Sequence, residues 1–78
     1  MSTTDALVTA WERWDARPGS EHESKAFHAA VRVWAAEHSL DPLRARVDLI
    51  KLKRRALAAG ETFDRAAALR AVATGQAS

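Results

Sequence analysis

The chain of 78 residues carries a net charge of +2 and no cysteine, which excludes disulfide bridges and thiolate metal sites. Its 47% apolar and 28% charged residues, with three Gly and two Pro, are typical of one globular domain. No apolar run reaches the roughly 18 residues of a membrane span, and the start, Met-Ser-Thr-Thr-Asp, lacks the features of a secretory signal, so we expect a cytoplasmic protein without membrane contact.

Alanine is the dominant apolar residue, and it predicts the fold class. The chain has 18 Ala against 18 large apolar residues, and it has no Tyr and a single Ile. Alanine is the best helix former, and β-branched and aromatic residues favour strands. We therefore expect an all-α fold, a compact three- or four-helix bundle. The predicted helices cover residues 4–16, 21–38, 42–59 and 62–74, and the tail 75–78 is expected to be frayed.

The first two segments carry matching aromatic stripes at helical spacing. Thr3 or Thr4 is the candidate N-cap of the first segment, and Ser20 with Glu23 fits a capping box that opens the second. We expect the two stripes to meet in the core. The stripes are Leu7, Ala10, Trp11 and Trp14 in the first segment, and Phe27, Ala30, Val31 and Trp34 in the second, with Ala26 and Val33 widening it.

The third segment is apolar on two sides. Asp41 as N-cap, Pro42 at the first helical position and Gly60 after the last turn delimit it. Because a helix with two apolar sides is packed on two sides, we place it centrally, covered by segments 1 and 2 on one flank and by segment 4 or a second subunit on the other. One side holds Leu43, Val47, Ile50 and Leu57, with Arg54 among them, and the other holds Ala45, Leu49, Leu52, Ala56 and Ala59.

The fourth segment is predicted to open near Thr62 and to end before Gly75. Ala56 and Gly60 have the spacing of a helix-turn-helix, which raises a DNA-binding hypothesis for segments 3 and 4. The would-be recognition helix is short of the side chains that usually contact bases. The core candidates of the fourth segment are Phe63, Ala66, Leu69, Val72 and Ala73.

The charge is unevenly distributed along the chain. Residues 1–41 carry seven acidic and four basic side chains, a net charge of −3, and residues 42–78 carry eight basic and three acidic ones, a net charge of +5. Such a division indicates either an anionic partner or docking of the acidic half onto the basic half. Because the total is only +2, we favour internal docking.

No pattern of catalytic or metal-binding residues is present. Glu21-His22-Glu23 resembles the opening of a HExxH motif, but the second histidine position is Ala26. His28 lies on another helix face, and His38 is best interpreted as a helix-capping histidine. We therefore expect no enzymatic activity, no metal and no cofactor.

The basic third segment supports a nucleic-acid-binding hypothesis. Asp48 lies within it and can pair with Arg44 and Lys51, so a solvated face with ion pairs is the competing interpretation. If the segment does bind DNA or RNA, the chain is a transcriptional or phage regulator. The candidate residues are Arg44, Lys51, Lys53, Arg54 and Arg55.

The tryptophans support the leading hypothesis, a protein-interaction module. Three Trp in so small a chain either fill the core or provide an exposed hot spot, and Trp and Arg dominate such spots. We expect a small regulator, adaptor or inhibitor of cellular or phage origin that binds another protein and forms a homodimer. The candidate partner-binding residues are Trp14, Arg13, Arg17 and Trp34.

Overall fold

Four helices account for most of the chain in a computed structural model, which describes residues 2–75, and none of these residues is in a strand. Helix α2 packs extensively along α1, α3 lies between α2 and α4, and α4 returns to α1. The bundle measures 30 × 30 × 22 Å. The prediction of an all-α bundle is confirmed. The helices are α1 (Thr3–Ala16), α2 (Glu21–Glu37), α3 (Pro42–Ala58) and α4 (Arg65–Ala73).

Each helix begins at a side-chain cap, and two of the caps are those predicted from the sequence. Ser20 Oγ accepts from the Glu23 amide at 3.2 Å, and Asp41 Oδ2 accepts from the Arg44 amide at 2.9 Å. The reciprocal bond expected from the Glu23 side chain is not formed, because the Ser20 amide donates to the Arg17 carbonyl instead. Hydroxyl and carboxylate caps therefore set the starts of α2 and α3.

The other two caps correct the predicted starts of α1 and α4. Ser2, rather than Thr3 or Thr4, caps α1 and accepts from the Asp5 amide at 3.1 Å. Asp64 caps α4 and accepts from the Ala67 amide at 3.2 Å, so this helix begins at Arg65 and not near Thr62. The connection from 59 to 64 is longer than the three or four residues of a helix-turn-helix, which counts against that motif.

The core is built around aromatic side chains, as the stripes predict. Trp11, Phe27 and Trp34 are fully buried, and the rings of Trp11 and Phe27 lie 5.5 Å apart. Phe63 precedes α4 and still reaches the Trp11 ring edge-on at 5.2 Å. The remaining buried residues are Leu7, Val31, Ala35, Ala45, Leu49, Ala68, Leu69 and Val72.

Two residues expected to widen the α2 stripe lie outside the core. Ala26 is exposed, and Val33 is 55% exposed. They flank the stripe on the helix surface, and only the central residues Phe27, Val31 and Trp34 of the stripe are buried in the core. In α4, Leu69 and Val72 are buried as expected, whereas the buried Ala68 is not among the predicted core residues.

The turns after α2 and α3 use left-handed residues. Gly60 has φ +72°, as expected for the residue after a helix C-cap. After α2 that position is taken by Ser39, at φ 55°, and the Leu40 amide closes the turn on the Ala35 carbonyl at 2.9 Å. Ser39 therefore occupies a conformation that glycine adopts at lower cost.

Candidate partner interface

Packing within the chain covers only one side of α3. Ala45 and Leu49 are buried against α2 and α4, and Leu52 and Ala56 are half-buried beside them. The opposite side, which we call the outer face, contains Leu43, Val47, Ile50 and Leu57. Leu43 and Leu57 are each 60% exposed, and Val47 is 38% exposed. The prediction that α4 or a second subunit covers the outer face is therefore not met within this chain: α4 packs against α3 on the inner side, as α2 does, and the outer face stays open.

A groove runs between α2 and the outer face of α3. The section beside Pro42 and Leu43 has a volume of about 660 Å³, and the section beside Ile50 and Arg54 has a volume of about 440 Å³. His28 and Arg46 line both sections, and we call the two adjoining sections together the α2–α3 groove. The lining residues are Lys25, His28, Ala29, Val31 and Arg32 from α2 and Pro42, Leu43, Arg46, Val47, Ile50, Lys51 and Arg54 from α3.

The groove is positively charged. Five of its lining residues are Lys or Arg and none is Asp or Glu, and among them Lys25 is paired with the exposed Glu21 at 3.1 Å. The pKa of His28 lies below its usual value, first because the ring is partly buried and then because Arg46 and Arg32 are close by. Arg32 and Arg46 therefore lie close to His28, which lines both sections of the groove.

The tryptophans lie behind the groove wall rather than on it. Trp14 is half-buried, stacks on Phe27 at 4.9 Å and meets the His28 ring at 6.0 Å. Trp34 is fully buried, so its prediction as a partner-binding residue is wrong. Its indole ring belongs to the core and cannot contact another protein while the chain is folded. Arg13 on α1 and Arg17 at its C-cap are exposed and do not line the groove.

The predicted basic residues of α3 do not form one cluster. Lys51 and Arg54 line the groove, whereas Arg44 pairs with Asp48 at 3.2 Å, as the sequence predicts. Arg55 is exposed outside the groove.

Lys53 has a structural partner. It and Arg65 both bind the carboxylate of Asp15, and all three side chains are at most 30% exposed. Burial alone would raise the pKa of Asp15, but the hydrogen bonds and charges of Lys53 and Arg65 outweigh it and hold that pKa below its usual value. Arg65 also lies 5.9 Å from the centre of the Trp11 ring. The ion pairs of Asp15 with Lys53 and Arg65 join α1 to the basic half of the chain, as internal docking requires.

The α2 half of the site is not among the residues predicted from the sequence. Lys25, His28 and Arg32 line the groove, and their spacing places them together on α2, but nothing in the sequence says which side of α2 adjoins α3. The outer face of α3 itself is visible in the sequence as one of its two apolar sides.

In the part of the chain that the structure describes, the histidine and carboxylate side chains do not gather into a metal-binding site. Within residues 2–75 no group of three or more His, Asp or Glu could hold a metal ion. His38 closes the end of α2, with Nδ1 2.9 Å from the Trp34 carbonyl oxygen. None of the helices in the described region of the chain combines the length and apolarity needed to cross a bilayer.

Comparison with protein-family models, with curated proteins and with solved structures finds no match to this chain.

Proposed function

We propose that the chain is a small non-enzymatic protein-interaction module, a regulator, adaptor or inhibitor that binds another protein through the α2–α3 groove. The observation that supports it most is the outer face of α3. A chain with few large apolar residues places Leu43, Val47 and Leu57 in solvent along one side of a single helix. Aliphatic side chains grouped beside a groove are typical of a binding surface.

Affinity capture from an extract of the native cells, with nuclease treatment, tests this proposal. The bait is the whole chain, and the captured proteins are identified by mass spectrometry. Val47→Asp places a charge in the groove, and Val33→Asp makes the same change on an exposed stretch of α2 outside it. We expect a protein that the wild type and Val33→Asp retain and Val47→Asp loses, with all three baits equally folded by circular dichroism. Identical captured proteins for all three would contradict the proposal.

Nucleic-acid binding is the second candidate, because the groove contains five basic residues and no acidic one. It predicts that duplex DNA or RNA is retained with an affinity that falls steeply with salt. Lys51→Ala with Arg54→Ala would flatten that dependence by about two counterions. Absence of retention at low salt would remove this candidate.

A further inference from the structure

The outer face of α3 has the register of a coiled-coil seam. Its residues follow one another at alternating intervals of four and three, which is the spacing of positions a and d in a heptad. Positions d are Leu43, Ile50 and Leu57, and positions a are Val47 and Arg54. At 1.5 Å per residue the seam is roughly 21 Å long, about four helical turns. Such a seam packs against another α-helix of similar length.

The residues that flank the seam are basic on both sides. Arg44 and Lys51 occupy the e positions, and Arg46 and Lys53 occupy the g positions. Arg44 is partly neutralised by Asp48 and Lys53 by Asp15, so Arg46 and Lys51 are the flanking charges that face the groove. In coiled coils, charges at e and g decide which helix is accepted.

We propose that the occupant of the α2–α3 groove is an acidic amphipathic α-helix of another protein. Its apolar stripe packs on Leu43, Val47 and Ile50, and its carboxylates face Arg46 and Lys51. An acidic side chain opposite Arg54 completes the seam. This inference rests on the proposed function and names the class of partner.

A second copy of the chain is a poor fit for the same seam. If two outer faces met, parallel or antiparallel, basic flanks would face basic flanks, and Arg54 would lie in the shared interface. Like charges placed opposite each other across an interface disfavour that pairing. The expected homodimer, if it forms, therefore needs a different surface.

Nucleic acid also fits less well than an acidic helix. Phosphates account for the basic flanks but give no reason for aliphatic side chains at the centre of the face. The groove offers no Asn or Gln for base edges, and its one aromatic side chain, His28, is only partly exposed. A partner that has both apolar and anionic groups contacts the aliphatic side chains of the groove as well as its basic flanks.

Designed peptides test the proposal directly. The first probe is a 21-residue helical peptide with Leu at a and d and Glu at e and g, and the second has Lys in place of every Glu. A DNA duplex of similar length is the third. Binding of each labelled probe is followed by fluorescence anisotropy at about 0.15 M salt, where only nearby charges contribute strongly.

The acidic peptide is expected to bind at least about tenfold more tightly than the basic peptide. Lys51→Glu should weaken it roughly fivefold, because one attraction becomes a repulsion. Arg70→Glu makes the same charge change on the exposed surface of α4 and should alter the affinity by less than about twofold. Val47→Asp should abolish the binding.

Each other outcome overturns the acidic-helix proposal. Equal binding of both peptides, binding of neither, or binding that survives Val47→Asp would do so. Duplex DNA bound more tightly than the acidic peptide would assign the groove to nucleic acid, and a dimer that Val47→Asp dissociates would assign it to a second copy. If the peptides fail but protein capture still depends on Val47, the proposed function stands without the acidic helix. If capture does not depend on Val47, both fail.

Discussion

Replacing Asp15 by Asn should destabilise the fold by about 2 kcal/mol. The carboxylate is 19% exposed, and its partners Lys53 and Arg65 are 30% and 25% exposed. Fully exposed ion pairs contribute about 0.2–1 kcal/mol, and buried hydrogen bonds to charged groups about 1.5–3 kcal/mol. Two pairs of intermediate exposure therefore contribute roughly 2 kcal/mol together. For a domain of this size the loss corresponds to a decrease in Tm of about 8–16 °C.

Urea and thermal unfolding followed by circular dichroism measure this loss. Glu12→Gln removes an exposed carboxylate from the same helix and should change the free energy of unfolding by less than about 0.5 kcal/mol. Because the folded pKa of Asp15 is below its usual value, its contribution is complete above about pH 4 and is lost as the pH falls through that folded pKa. A wild type and an Asp15→Asn variant of equal stability at pH 7, or a difference that persists undiminished at pH 2, would refute this reasoning.

Three further changes test the turn, the core and the histidine. Ser39→Gly should raise the free energy of unfolding by about 0.5–1 kcal/mol in urea titrations, because it relieves a positive φ. Trp34→Ala should cost about 3–5 kcal/mol and leave little cooperative unfolding in calorimetry, since the indole is fully buried. The wild type should lose stability as the pH falls below about 6.5, because the pKa of His28 is lowered in the fold, and His28→Gln should remove that component of the slope.

Local signals in the sequence predict the helices and most of the core. Ser20 and the Asp41-Pro42 pair mark helix starts because capping depends on neighbouring residues only. The predicted start of α4 lies too early in the chain, since Thr62 and Asp64 are both acceptable caps and the backbone folds around the second. Phe63 reaches Trp11 from the connection before α4, a contact between distant parts of the chain that local rules do not contain.

The candidate site is only partly predictable from the sequence, for a physical reason. Periodicity shows that α3 has two apolar sides, but which side is buried depends on how α2 and α4 pack against it. The side rich in alanine, with Ala45 and Leu49, faces the bundle because small residues let helices approach closely. The larger Leu43 and Leu57 remain outside. The partner-binding prediction for Trp34 is wrong for the same reason, because spacing alone does not distinguish a core stripe from a binding surface.

The most direct test of the proposed groove is an NMR titration of the isotope-labelled chain with the protein it captures. Docking in the α2–α3 groove predicts that the perturbed amides fall within residues 25–32 and 43–57, with the largest shifts near Val47 and His28. Perturbations confined to α4, or to the α1 surface around Arg13 and Arg17, would place the partner elsewhere and contradict the assignment of the groove.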